Sequence, residues 1–358
     1  MNPYHDLPAK SFWKTSVANK CMFDITDLWT PKFAITTQHN IATFGSCFAQ
    51  HIGRSLKNSG YMWLNTEPMP NGLPLEKSIA YNYDIFSCRT GNIYTTSLLK
   101  QWVEWALGIK EPPVEAWYVR EKVYDPFRPN IEPNGFETFN EMRFSRQQTI
   151  KSLRQIIEQS DIFIFTLGLT ESWFNVEYGY EYPMCPGTVA GDFDSNNHVF
   201  CNQSFDFILN SFSDVMDMMV AVNKKIKFIL TVSPIPLTAT NSGNHVLIAT
   251  MESKSILRAV AGQLTRSREC IDYFPSYEII NSPVYKGTFF EPNLRSVNAY
   301  GVAFVMNSFF SGLDSKLDTA TINETQKKYV NICNQKNNDD VICEEELLAV
   351  FSKYSSQF

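Results

Sequence analysis

The residues best suited to chemistry are Gly45, Ser46 and Cys47, which follow a short apolar segment. A glycine lets the chain turn sharply after a strand, and the apolar spacing that follows predicts a helix beginning at Cys47. Unpaired N–H groups at a helix N-terminus favour an anion, so they lower a thiol pKa and can hold an oxyanion. The pattern allows a nucleophile here, and it equally allows a small-residue turn in which Cys47 fills the core.

Alternating strand and helix patterns position this turn. Strands are predicted at residues 40–44, 161–167 and 227–232, and helices at residues 47–58, 97–107, 144–159, 205–223, 252–265 and 300–310. Continuous apolar strands flanked by helices are typical of a parallel sheet buried on both faces. The sequence therefore predicts an α/β fold, a three-layer α/β/α sandwich with a mostly parallel sheet. Ligands of such sheets bind beyond the carboxyl ends of the strands, so the segments after Phe44, Leu167 and Val232 should border one crevice.

A resemblance to a known family rests on several segments in order. Residues 45–49 read Gly-Ser-Cys-Phe-Ala, the signature of the GSCFA family, which is similar to the SGNH (GDSL) hydrolase and acyltransferase superfamily. Six further segments resemble the same family: residues 91–95, 125–129, 165–173, 231–240, 253–259 and 273–278. The resemblance covers residues 40–310 and implies an SGNH-like fold and acyl chemistry.

The resemblance assigns roles to several of these residues. In SGNH enzymes the first block reads Gly-Asp-Ser with the Ser as nucleophile, so alignment on Gly45 implies a Cys47 nucleophile, with Ser46 as the second candidate. Thr170 stands where an Asn would donate to the oxyanion, and its alternative role is a helix N-cap. Gly91, with Asn92 beside it, is matched to the block whose backbone N–H faces the oxyanion, although a Gly-Asn pair is also an ordinary turn.

The histidine of the usual triad is missing. Asn293 and Ser296 occupy the positions of the Asp-x-x-His that SGNH enzymes carry, and no histidine follows His245. A standard Ser-His-Asp triad cannot be built from that loop. His245, after the 227–232 strand, is the preferred base, and His198 is the second candidate.

Three other groups could tune the site. His51 lies one helical turn after the nucleophile, with packing or exposure as the alternative. Glu278 could orient a histidine, or it could pair with Arg258 or Lys254. Glu171 could also orient a histidine.

Composition limits the partners. The chain of 358 residues has 31 basic and 37 acidic residues, a net charge of −6, which argues against a broad nucleic-acid or membrane surface. No apolar stretch is long enough to span a membrane and no signal-peptide pattern is present, so a cytoplasmic location is expected. The eight cysteines form no CxxC pair, and no phosphate-binding glycine motif occurs, so neither a metal nor a nucleotide cofactor is predicted.

The predicted organisation has three parts. Residues 1–40 form an arm anchored by Trp13 and Trp29, residues 41–320 form the main domain with an insertion at about 60–145, and residues 321–358 form a linker and a helix. Residues 175–204 are predicted to be loop.

The leading functional interpretation is an acyl esterase or O-acyltransferase, with an acyl donor such as acetyl-CoA in the second case. Aromatic residues in the loops would suit a glycan substrate: Trp117, Tyr118, Trp173, Tyr178, Tyr180 and Tyr182. The alternative is a catalytically degenerate binding or scaffold protein in polysaccharide biosynthesis. The oligomeric state is left open.

Overall fold

A computed structural model describes residues 2–314 and 344–353. Its α-helices are α1 Phe48–Asn58, α2 Leu75–Ala80, α3 Thr96–Leu107, α4 Phe139–Gln159, α5 Phe205–Val222, α6 Val246–Ser267, α7 Ser276–Asn281 and α8 Ala299–Asp314. Its strands are β1 Ile41–Gly45, β2 Trp117–Val119, β3 Lys122–Tyr124, β4 Ile162–Leu167, β5 Glu171–Asn175, β6 Tyr180–Tyr182, β7 His198–Asn202, β8 Lys227–Val232 and β9 Ile271–Tyr273. A 3-10 segment, Glu344–Lys353, follows.

The central sheet is parallel, with strand order β1-β4-β8-β9. Beyond β1, Trp63 forms a parallel bridge to Ile41, with the N–H of Ile41 donating to Met62 O at 2.9 Å. After β1 the chain first places Trp63 beside one edge of β1. It then crosses to the other edge of β1, where β4, β8 and β9 follow in order. The strand order reverses between β1 and β4, which is where open α/β sheets form their ligand crevice.

Helices cover both faces of this sheet. Phe165 of β4 stacks on Phe212 of α5, with ring centroids 5.9 Å apart. On the opposite face, α1 approaches β1 so closely that a Cβ on Gly53 would stand 2.9 Å from Thr43 Oγ1. Because successive strand residues face opposite sides, Thr43 and the Phe44 that stacks on Phe163 lie on different faces. The predicted three-layer α/β/α sandwich is confirmed.

The prediction of loop for residues 175–204 is wrong in part, because residues 180–182 and 198–202 are strands. The strands β5, β6 and β7 form an antiparallel sheet in the order β6-β5-β7. A β2–β3 hairpin in the insertion was not predicted either. These strands are three to five residues long and carry many polar or exposed side chains, so they lack the apolar runs that mark the central strands.

The described chain divides into two compact units, residues 2–36 with 274–314 and residues 37–273 with 344–353. In the first unit, Trp29 stacks on Phe309 at 5.2 Å and is 8% exposed, as expected of an anchor. Trp13 is 69% exposed, so its predicted anchoring role is wrong. The linker predicted near residues 334–340 lies outside the described residues.

Candidate active site

Gly45 sets the turn at the end of β1. Its φ of 125° belongs to the region that favours glycine, and a Cβ there would stand 2.3 Å from Thr166 O. The next residue, Ser46, donates its N–H to the same carbonyl at 3.1 Å. Only glycine fits this position, and the hydrogen bond from Ser46 joins the turn directly to β4.

Cys47 and Ser46 occupy different surroundings although both are 2% exposed. Cys47 is the N-cap residue of α1, has helical dihedral angles and does not cap the helix with its side chain. Ser46 packs over Gly168, where an added Cβ would stand 3.1 Å from Ser46 Cβ. Its Oγ has no hydrogen-bond partner among the described residues. The side chain of Ser46 is thus enclosed at the β4 end, and that of Cys47 belongs to the helix N-terminus.

The turn at Gly91 and Asn92 lies beside the Gly45 turn. The N–H of Ile93 donates to Gly45 O at 2.9 Å, and Gln50 Nε2 of α1 donates to Asn92 Oδ1 at 3.5 Å. Gly91 has a φ of 70°. The structure therefore brings Gly91 and Asn92 to the carboxyl end of β1, next to the first turn of α1.

Thr170 lies just beyond β4 and is fully buried. Its N–H donates to Ser253 Oγ at 3.2 Å, and its hydroxyl donates to Asn202 Oδ1 at 2.6 Å. The residue that follows it begins β5, so the alternative interpretation of Thr170 as a helix N-cap is wrong. The hydroxyl is at the predicted edge of the sheet, and in this state it is directed at Asn202.

His245 is the exposed N-cap of α6, where its Nδ1 accepts the N–H of Leu247 at 3.2 Å. It precedes Ser253, the partner of Thr170, by eight residues, or about 12 Å of helix. The preceding loop reaches the same region, since the hydroxyl of Thr240 donates to the Glu171 carboxylate. The sequence pattern placed the start of α6 at residue 252, too late to show this capping role.

His198 opens β7 and is half-buried, and its Nδ1 accepts the N–H of Asp194 at 3.1 Å. It stands four residues, or about 13 Å of strand, before the Asn202 that Thr170 contacts. A neutral imidazole that accepts at Nδ1 carries its proton on Nε2. Either histidine must therefore release this hydrogen bond before it can take up a proton.

His51, Glu278 and Asn293 are the remaining residues that the sequence pointed to. Burial lowers the pKa of His51 to about 3, with a smaller effect from Arg54, so its ring is neutral and supplies no positive charge to the site. Glu278 lies on α7 in the first unit. Asn293, also in that unit, accepts the N–H of Ser296 at 2.9 Å in a local turn.

One residue of the site was missed in the sequence. Glu344 is 4% exposed and forms hydrogen bonds with Asn92 and Asn130. Burial raises its pKa to about 7, against the opposing effect of those hydrogen bonds. A contact between residues about 250 positions apart leaves no local signal in the pattern of side chains.

Three of the six aromatic residues proposed for glycan stacking are internal. The hydroxyls of Tyr180 and Tyr182 donate to the Glu115 carboxylate, and Trp117 Nε1 donates to it at 2.9 Å. These three side chains are at most 9% exposed. Tyr118 and Tyr178 remain at the surface, with 62% and 66% exposure.

The described residues contain neither a metal-binding cluster nor a membrane-spanning helix. No cluster of three or more His, Cys, Asp or Glu that could hold a metal ion occurs among them. None of the helices within that part of the chain is long and apolar enough to cross a membrane. A groove of about 540 Å³ is lined by Asn40, Lys57 and Trp63, at the amino end of β1 and so away from Cys47.

The fold and the strand-turn-helix site define an α/β protein with its candidate nucleophile at the N-terminus of the first core helix. The GSCFA family model matches residues 40–309, most of the chain, and the protein belongs to the GSCFA family. Neither the curated proteins nor the solved structures provide a match.

Proposed function

We propose that this chain is an SGNH-like acyl esterase or O-acyltransferase whose nucleophile is Cys47, acting on an acylated carbohydrate. The observation that carries the proposal is the Gly45 turn, which sets Cys47 at the N-terminus of α1 where the strand order reverses. The helix N-terminus favours a thiolate, and a thiolate is a stronger nucleophile than a serine hydroxyl.

In the proposed reaction, the Cys47 sulfur forms a bond to the ester carbonyl carbon, and the carbonyl oxygen takes up the negative charge. Backbone N–H groups at Cys47 and Gly91, with the Thr170 hydroxyl turned from Asn202, would hold that oxyanion. The base, His245 in the first instance, takes the proton of the Cys47 thiol as the sulfur attacks. Collapse then breaks the ester bond, and the leaving alcohol takes this proton from the base. Water or a sugar hydroxyl then takes the acyl group from sulfur and restores the thiol.

A substitution pair tests the nucleophile. Cys47→Ala should abolish turnover of acetylated glycans and activated esters, whereas Ser46→Ala should only reduce it. Cys88→Ala is the matched control, because Cys88 is also buried and its pKa is raised, chiefly by burial. Full activity in Cys47→Ala with loss in Ser46→Ala would reject the Cys47 assignment.

A second candidate is a degenerate site that binds glycans without turning them over. It is favoured by the present engagement of Thr170 with Asn202 and of both histidines with backbone N–H groups. Iodoacetamide labelling separates the two functions. An enzyme should react fast and stoichiometrically at Cys47 at neutral pH, and a binding protein should label no faster than an ordinary thiol.

A further inference from the structure

Glu344 lies outside the family-matched residues 40–309, yet its carboxyl is enclosed within the candidate site. The backbone N–H and the side chain of Asn92 both form hydrogen bonds with this carboxyl, as does the Asn130 side chain. The acid is supplied by the separate segment Glu344–Lys353.

The turn that receives this carboxyl has the form of an anion site. Gly91 is in the left-handed region, with a φ of 70°, and such turns direct successive backbone N–H groups toward one point. Glu344 Oε1 lies 3.5 Å from the position that a Cβ of Gly91 would take, so the carboxyl reaches the backbone of the turn itself. Amide donors from the backbone and from two side chains therefore converge on this carboxyl group, and they offset part of what its burial costs the ionised form.

We propose that the Gly91–Asn92 turn and the Asn130 side chain form a binding site for a carboxyl group, which Glu344 fills in cis and which accepts a small free carboxylic acid, such as acetic acid or its anion, when Glu344 is shortened. The same turn carries the proposed oxyanion donor Gly91. A carboxylate held there competes with the reacting oxygen, and this second consequence rests on the proposed function.

The test is chemical rescue in the full-length protein. Glu344→Ala removes the carboxyl, and its melting temperature should rise saturably with acetate, compared with chloride at equal ionic strength. Near ten times the dissociation constant, the shift should be about 2–4 °C. Wild type and Glu346→Ala should show no such rise, since Glu346 is an exposed acid on the same segment.

The outcomes distinguish a site that binds a carboxyl group from a position where the Glu344 side chain only fills space. A Glu344→Ala protein that responds to acetate no more than Glu346→Ala overturns the proposal. If Glu344→Ala is recovered unfolded, refolding with acetate or chloride replaces the melting test, and equal recovery in both overturns it.

An activity measurement addresses the second consequence separately. Glu344→Ala should turn over acyl substrate several-fold faster than wild type, and acetate should return it toward the wild-type rate. Lower activity in Glu344→Ala would overturn the competition between Glu344 and the oxyanion. Absence of turnover in every protein would reject the proposed function, while acetate rescue would still establish the carboxylate site.

Discussion

Ser46 and Cys47 are equally buried, but the backbone places them differently. Ser46 has its N–H on Thr166 O and its Cβ against Gly168, so the residue is fixed to β4. Cys47 begins α1, where the helix dipole acts on its side chain. This difference follows from the backbone path, because Ser46 still forms a hydrogen bond to β4 and Cys47 is the N-cap of α1.

His245 has a structural role that a catalytic test must keep intact. It caps α6 through Nδ1, so an alanine would lose the cap as well as the imidazole. Asparagine is a good N-cap residue and cannot act as a base, so His245→Asn separates the two roles. As the proposed base, His245→Asn should lower kcat about 10²–10⁴-fold at an unchanged melting temperature.

The His245→Ala variant supplies the comparison. It should lose both activity and about 0.5–2 kcal/mol of stability, the usual range for a lost cap. Native kcat in His245→Asn would show that His245 serves α6 alone, and the same substitution at His198 would then be measured.

The Gly45 turn connects β1, β4 and α1, so a change there should affect the whole sheet edge. Gly45→Ala would place a Cβ 2.3 Å from Thr166 O in a backbone conformation that L residues rarely adopt. We expect it to reduce the free energy of unfolding by about 3 kcal/mol or more, since strain and a backbone clash add. Denaturant unfolding measures this loss.

Gly179→Ala is the matched control. Gly179 also has a positive φ, of 68°, but open space surrounds the position of its Cβ. Conformational strain alone should then cost about 1–2 kcal/mol. Equal losses at the two glycines would show that the contact with Thr166 does not determine the turn.

The central elements could be predicted from the sequence because burial on both faces produces continuous apolar runs. Strands β4 and β8 and the helices α1, α3 and α5 begin and end close to the predicted residues. The antiparallel strands could not be recognised in the same way. Tyr180–Tyr182 includes a buried Glu181 that is satisfied by Thr95 and Ser97, about 85 residues away, and only the tertiary structure supplies these partners.

In the candidate site, too, some features follow from the local sequence and others depend on tertiary contacts. The Gly45–Cys47 turn and the position of Thr170 after β4 are local consequences of strand ends, so the sequence indicates them. The engagement of Thr170 by Asn202 and the enclosure of Glu344 depend on segments that meet only in the folded chain. The signal available for Glu344 was the run of three acids at residues 344–346, which is ordinary for an exposed helix.

Two buried acids and His51 should have the largest effects on how the stability of the protein depends on pH. His51 opposes the acids, because burial and Arg54 lower its pKa from 6.5 to about 3, so its contribution to stability rises as the pH rises to about 6.5. Burial raises the pKa of both Glu181 and Glu344 from 4.5 to about 7. The unfolded chain then loses these protons first as the pH rises, so each acid stabilises the fold below about pH 4.5, and that contribution is lost as the pH rises to about 7. Asp125 acts in the opposite sense, since its pKa is lowered by Arg146 and Arg128 despite its burial, and its contribution is lost only at more acidic pH.

The free energy of unfolding should therefore be greatest near pH 4–5 and fall toward neutral pH, by up to about 1.4 kcal/mol per pH unit for each acid. Urea unfolding at about pH 5 and pH 8 measures the difference. Glu181→Gln has no proton to lose, so it should reduce the difference, while Glu121→Gln, at an exposed position, should leave it unchanged. A wild-type protein that is more stable at pH 8 than at pH 5 would contradict the assignment, because across that interval the loss from the two acids exceeds the opposing gain from His51.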